Sequence, residues 1–169
     1  MTALQEDNHI FESPIGSILI QANSVGLTQV TFSNETRTNE VEVKVNKGPF
    51  FKELNAHIAA ATLQLTEYFQ GNRQIFSIPI DFQGTDFQKQ VWQQLQRIPF
   101  GTSVSYSTIA ERMNQPTAVR AIGLANSKNP ILIITPCHRV IAKNQQLSGY
   151  AGGIDKKAWL LKHEGIDFK

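Results

Sequence analysis

The spacing of apolar side chains changes period part-way along the chain, and that change limits the folds open to it. Through residues 8–33 apolar and polar residues alternate around Gly16 and Gly26, as in Ser17-Ile-Leu-Ile-Gln-Ala22 and Leu27-Thr-Gln-Val-Thr-Phe32. Successive side chains of a strand point to opposite faces, so this pattern predicts short antiparallel strands. Val41-Glu-Val-Lys-Val45 alternates strictly and predicts another. From Phe50 to Gln70 the period becomes three to four, with Leu54, Ile58, Ala61, Leu65 and Phe69 on one face of an amphipathic helix that Gly71 closes. A further strand is expected over 77–82, and Asp81-Phe-Gln-Gly84 is the expected domain boundary.

Beyond that boundary the pattern is mostly helical. Thr85 caps a predicted helix to about Arg97, with Phe87, Val91, Leu95 and Ile98 on one face, ended before Pro99 and Gly101. A short helix is expected over Ser107–Met113, where Thr108 and Glu111 have capping-box spacing. Asn114-Gln-Pro116 predicts a three-residue turn, and Thr117–Asn126 a second helix. The apolar run Ile131-Leu-Ile-Ile134 reads as a buried strand leading into Pro136-Cys-His-Arg-Val-Ile141. Gly149-Tyr-Ala-Gly-Gly153 reads as a loop, and Asp155–Glu164 as a closing helix stopped by Gly165. The fold class expected is α/β (α+β). A small antiparallel-sheet plus helix domain over 1–84 precedes a mostly helical domain over 85–169 that contains a helix-turn-helix.

Composition narrows the function. Met1–Ile10 lacks the basic start and apolar run of a signal peptide, and no stretch approaches the roughly 20 apolar residues that span a bilayer. A cytoplasmic protein with no membrane association is expected. A single cysteine forbids an internal disulfide and any multi-thiolate zinc site, and His9, His57, His138 and His163 are scattered, so no metal is expected. Nothing signals an obligate oligomer, and a monomer is expected. The net charge of +2 hides an asymmetry: residues 1–84 carry five basic against nine acidic side chains, and residues 85–169 eleven against five. A basic second half fits a polyanionic partner, with chance variation in surface charge as the alternative.

Two places carry chemistry. The paired helices match a helix-turn-helix, although helical hairpins are also common structural elements. In the second, Ala118, Ala121, Gly123 and Ala125 are small and Arg120 is the one large charged residue. A helix that smooth suits close approach to a narrow groove with the guanidinium pushed into the base stack; tight helix packing with a solvated Arg120 is the alternative. Cys137 is the second place. A lone cysteine after an apolar run is commonly inert core, but Pro136 breaks the run, and His138 and Arg139 bring groups that lower a thiol's pKa. Neighbours in an extended segment face opposite ways, so His138 is expected to reach the sulfur through a water or a local bend. Glu164 falls in the last turn of its helix, where the macrodipole disfavours a carboxylate. An imidazole would compensate it; a solvated surface glutamate is the alternative.

Pro136-Cys-His-Arg-Val140 resembles the active-site signature of the O6-alkylguanine-DNA alkyltransferases, the methylated-DNA–protein-cysteine methyltransferases of the bacterial Ogt-like type. The resemblance extends through Ile98-Pro-Phe-Gly101, Ser105-Tyr-Ser-Thr-Ile-Ala110, Ala118-Val-Arg-Ala-Ile-Gly123, Asn129-Pro130, Gly149-Tyr-Ala-Gly-Gly153 and Trp159-Leu-Leu-Lys-His-Glu-Gly165. It implies an RNase H-like first domain and direct-reversal DNA repair. Cys137 would accept the alkyl group of O6-alkylguanine in double-stranded DNA irreversibly and once per molecule, with no cofactor; O4-alkylthymine stays open as a second lesion. His138, through a water, and Glu164 would form the activating relay, and Asn129 would brace the turn holding the cysteine. Tyr106 would help rotate the nucleotide and protonate the departing base, and Arg120 would replace the flipped guanine in the stack. DNA contacts would come from the minor-groove side through Tyr106, Ser107, Ala118, Val119, Arg120 and Gly123, and the base would meet Val140, Tyr150 and Ala151.

Three positions depart from the family pattern: Thr135, Leu124 and Ala142 stand where aliphatic, small and glycine residues are commoner. They bear on loop flexibility and on the alkyl groups accepted. Two other functions compete. Alkyltransferase-like proteins recognise alkylated bases without repair and lack the acceptor cysteine, which Cys137 argues against. A cysteine hydrolase using Cys137 and His138 would have no use for a DNA-binding helix pair.

Overall fold

Alternation becomes an antiparallel sheet of order β1-β2-β3, with β1 spanning Asp7–Ser13, β2 Gly16–Ala22 and β3 Leu27–Phe32. The structure is a computed structural model that describes residues 6–34 and 51–169, the side chains of 51–55 excepted. The strand expected over Val41–Val45 therefore lies outside the described residues, as does the side chain of Leu54. Ile18, Ile20 and Ala22 are buried while Ser17, Leu19 and Gln21 between them are not, so the period of two sets which face of β2 is core. Between β2 and β3, Asn23 Oδ1 accepts from Val25 N (2.8 Å) and Gly26 N (3.1 Å), a side-chain turn that asparagine forms readily.

Helix α1, Phe51–Phe69, lies against β1 and β2. Its described buried face is Ile58, Ala61, Leu65 and Tyr68; Phe69, expected on that face, is only partly covered. Gly71 takes φ 79°, and Gly71 N→Tyr68 O (3.0 Å) with Asn72 N→Glu67 O (2.8 Å) closes the helix.

The strand expected over 77–82 is not formed. Leu27 makes one parallel bridge with Ile80, through Leu27 N→Pro79 O and Asp81 N→Leu27 O, each 2.9 Å. Pro79 has no N–H with which to extend a ladder. This segment runs so close to the sheet that a Cβ on Gly26 would collide with the Pro79 carbonyl.

The chain divides into two units, Met1–Phe82 and Gln83–Lys169. The second opens on α2, Asp86–Gln96, capped by Thr85 in a box with Gln88. Helix α3 is Tyr106–Arg112 and α4 is Val119–Ser127. Ser105, not Thr108, caps α3: its hydroxyl accepts from Thr108 N at 3.2 Å, so the helix starts earlier than the Thr108/Glu111 spacing predicts. The connection is also longer than three residues, running from Met113 to Ala118. Asn114 adopts φ 55° after α3, and Ala118 N→Gln115 O (2.9 Å) closes a further turn before α4 begins. Helices α2, α3 and α4 pack on one another around Val91, Trp92, Leu95, Ile109 and Ile122, and Trp92 Nε1 donates to Ala125 O at 2.8 Å. Burying each such apolar side chain contributes about 1.5–3 kcal/mol. Helix α5, Ile154–His163, ends with Glu164 at its C-cap and Gly165 at φ 72°. No helix among the described residues is long and apolar enough to cross a membrane.

Candidate active site

The strand expected at Ile131–Ile134 is instead a buried tight turn, with Ile133 at φ 70°. Its backbone bonds close within the turn, Thr135 N→Ile131 O (3.0 Å) and Ile134 N→Leu132 O (2.8 Å), and onto one side chain. Asn129 Oδ1 accepts from Ile131 N (3.0 Å), and Asn129 Nδ2 donates to Ile131 O (3.2 Å) and Thr135 O (2.7 Å). Asn129 thereby spans the turn, at 5% exposure. The chain then enters a single 3-10 turn, Cys137–Arg139, tied down where Val104 N donates to Arg139 O and Ile141 N to Val104 O, both at 3.0 Å. The segment is thus bent where the sequence reading made it extended.

Cys137 is 2% exposed. Burial pushes its thiol up to about 11, against opposing effects from the Asn129 amide, the Lys157 charge and backbone donors. The expectation that His138 and Arg139 side chains would lower this pKa is not met. Desolvation dominates the thiol, and both side chains are turned toward Glu164. His138 Nε2 lies 2.7 Å from Glu164 Oε1, with both side chains fully buried. Arg139 Nε donates to Glu164 Oε2 (2.7 Å), its Nη2 to Oε1 (3.0 Å) and its Nη1 to Ile98 O (2.6 Å).

Burial alone would raise the Glu164 pKa; hydrogen bonds from His138 and Arg139 prevail and hold it down at about 2. Burial lowers the His138 pKa against the pull of Glu164. The imidazole is therefore neutral at pH 7 and donates through Nε2, since an ionised carboxylate can only accept. That leaves Nδ1 a proton acceptor, and it is buried with no hydrogen-bond partner in the protein.

Two partners escaped the sequence reading. Arg139 pairs with Glu164 instead of the thiol. Lys157, fully buried, donates from Nζ to Val140 O (2.7 Å) and Ser148 O (3.3 Å). Its signal was available: Lys157 lies three, four and seven residues before Leu160, Leu161 and Glu164, on the stripe that buries α5.

Most of the other predicted residues lie on the outer parts of the unit. Tyr106 opens α3, half-buried, its hydroxyl 3.5 Å from Ser148 Oγ, and a Cβ on Gly123 would meet its ring at 3.9 Å. Ser107 Oγ is 2.8 Å from Ser105 Oγ. Ala118 precedes α4 without a side-chain cap, Val119 begins the helix, and Arg120 and Leu124 are exposed on it. Val140 is buried, Tyr150 half-buried and Ala151 exposed. Among the described residues no group of three or more His, Cys, Asp or Glu side chains is placed to hold a metal ion.

Two family models cover the chain almost end to end. The 6-O-methylguanine DNA methyltransferase ribonuclease-like domain matches residues 8–82, and the DNA binding domain of the same proteins matches 86–166. The chain belongs to the 6-O-methylguanine DNA methyltransferase family. Each half of this family's pattern falls within one of the two structural units. A methylated-DNA–protein-cysteine methyltransferase of Methanosarcina acetivorans is 46% identical over 157 residues, 92% of this chain and 96% of that one. The constitutive enzyme of Bacillus subtilis is 44% identical over 159 residues, 94% of each. Among solved structures, the O6-methylguanine methyltransferase of Mycobacterium tuberculosis superposes with a TM-score of 0.78 at 37% identity, covering 95% of this chain and 93% of that one. The OGT of that organism in complex with DNA gives 0.76 at 38% identity, covering 92% and 90%.

Proposed function

We propose that this protein repairs double-stranded DNA by moving the alkyl group of O6-alkylguanine onto Cys137, once per molecule. The observation that carries the reading is the state of His138: Nε2 is spent on Glu164 at 2.7 Å, and Nδ1 is a buried acceptor with no protein partner. At rest the sulfur is protonated, because burial pushes its pKa to about 11. Nδ1 takes the thiol proton through a water, and the imidazolium so formed is stabilised by the carboxylate already bound to Nε2. Sulfur attacks the alkyl carbon, the carbon–oxygen bond breaks, and its electron pair leaves with guanine, which Tyr106 protonates; the tyrosinate regains its proton from solvent as the imidazolium gives up the thiol's. The thioether offers water no carbonyl or phosphorus to attack, so the thiol is not regenerated. The step balances without a cofactor or metal.

DNA approaches through α3 and α4 from the minor groove. Tyr106, Ser107, Ala118, Val119 and Gly123 form the close surface, and Arg120, exposed on α4, fills the space the flipped guanine leaves. Asn129 positions the turn before the cysteine, while Val140, Tyr150 and Ala151 meet the base. The protein acts as a monomer in the cytoplasm. The test is intact-protein mass after incubation with a duplex containing O6-methylguanine. One methyl increment located on Cys137, absent in Cys137→Ala, is expected. Binding without a mass change would instead favour lesion recognition without repair, and neither binding nor mass gain would overturn both readings.

A further inference from the structure

Lys157 is an unusual occupant of the core. It is 0% exposed, and among the described residues no carboxylate partners its ammonium; the acceptors are two backbone carbonyls, Val140 O at 2.7 Å and Ser148 O at 3.3 Å. Those carbonyls mark the two ends of a segment whose middle, residues 143–146, is exposed. Gln145 sits at φ 62°; besides Lys157 the segment is held by Ile141 N→Val104 O (3.0 Å), by Gln145 N→Ala142 O and Lys169 N→Gln145 O (each 2.9 Å), and by Ile141 and Leu147 packed with Leu161 and Ile166. At one end Val140 follows the Cys137–Arg139 turn directly; at the other, Ser148 Oγ lies 3.5 Å from the Tyr106 hydroxyl. One charged group thus joins α5 to the cysteine turn and to the neighbour of Tyr106. Removing an ammonium from water is costly, and a neutral apolar side chain would fill the slot without that cost.

We propose that Lys157 is a positioning residue for the alkyl transfer: its ammonium fastens both ends of the 140–148 segment to α5 and fixes the wall against which the target base is held. This rests on the function proposed above. The same charge favours the ionised form of Cys137, and the sulfur's negative form in turn supports the ammonium, which burial draws down to about 8.

Lys157→Met keeps the length of the side chain and removes its donors. Wild type and variant are reacted with free O6-benzylguanine, and the half-saturating concentration, the limiting rate and the fraction of protein that reacts are read separately. The half-saturating concentration rises about tenfold or more, with a smaller fall in limiting rate and an undiminished reactive fraction. A lower reactive fraction with unchanged constants would mean Lys157 merely supports folding, and constants within about twofold of wild type would equally overturn the proposal. If the variant does not fold, the wild type answers by NMR. Correlations across hydrogen bonds from Lys157 Nζ to the carbonyl carbons of Val140 and Ser148 are expected, and their absence would overturn the clasp. Wild-type mass gain from lesion duplex runs alongside: no gain sinks the proposed function, whereas gain with unaltered Lys157→Met constants sinks only the clasp.

Discussion

The two units bury different kinds of side chain. Among the described residues, the buried polar groups of the first are Asn23, Thr28 and Gln64, all uncharged. The second buries His138, Arg139, Lys157 and Glu164 beside Cys137, all within residues 137–164. A buried charge costs more than an apolar residue of similar size unless it is paired, and even paired charges rarely improve on good packing. The first unit is therefore explained by burial of β2 and α1, and the second is not. Its charges are kept where they set the protonation of a sulfur and an imidazole.

The largest break in that contrast comes from Glu164→Ala, which leaves Arg139 buried without its carboxylate. A loss of about 3–5 kcal/mol in urea unfolding is expected, and a loss under 1 kcal/mol would mean the pair is not desolvated as described. Acid probes the same group without mutation. Glu164 lies at about 2, below its ordinary 4.5, so its contribution is complete above pH 4.5 and is lost as pH falls through 4.5 toward 2. That depression corresponds to about 3 kcal/mol. His138, lowered from 6.5 by burial, adds to the loss as pH falls below 6.5. Unfolding curves measured down the pH scale should therefore steepen in acid, and Glu164→Gln should remove the part below 4.5. An identical pH dependence in wild type and variant would contradict the assignment.

Ile20→Ala sharpens the other side of the comparison. Ile20 is 0% exposed at the centre of β2, so truncation should cost about 2–5 kcal/mol of stability. The transfer rate per folded molecule should stay as in wild type, and a rate that fell with stability intact would give the first unit a part in the chemistry. Arg120→Ala is the smallest change, since the side chain is exposed. Repair of duplex should fall about tenfold while reaction with free O6-benzylguanine stays within about twofold, and equal losses on both would remove the finger role.

Legibility in the sequence followed the range of the interactions. The alternation of Ser17–Ala22 and the Thr85 cap depend on residues a few positions apart, and both elements are found where the pattern places them. At α3 two hydroxyls one turn apart competed, and Ser105 caps where Thr108/Glu111 was read. The apolar run at 131–134 misled because its backbone closes a tight turn on itself and on the Asn129 side chain, an option that hydrophobicity alone does not encode. The segment 77–82 misled because Pro79 stops a ladder that its neighbours favour. Around Cys137, a carboxylate at the end of a helix correctly raised the question of its partner. The answer includes Arg139, 25 residues earlier, and that pairing exists only once the chain has folded.

The central claim is that one buried sulfur captures carbon and keeps it. The most direct measurement supplies a large excess of O6-methylguanine duplex, counts demethylated lesions per protein molecule at completion, and titrates the thiol after denaturation. The account predicts a plateau at one lesion per chain with Cys137 no longer titratable. Continued turnover with the thiol still free would contradict it.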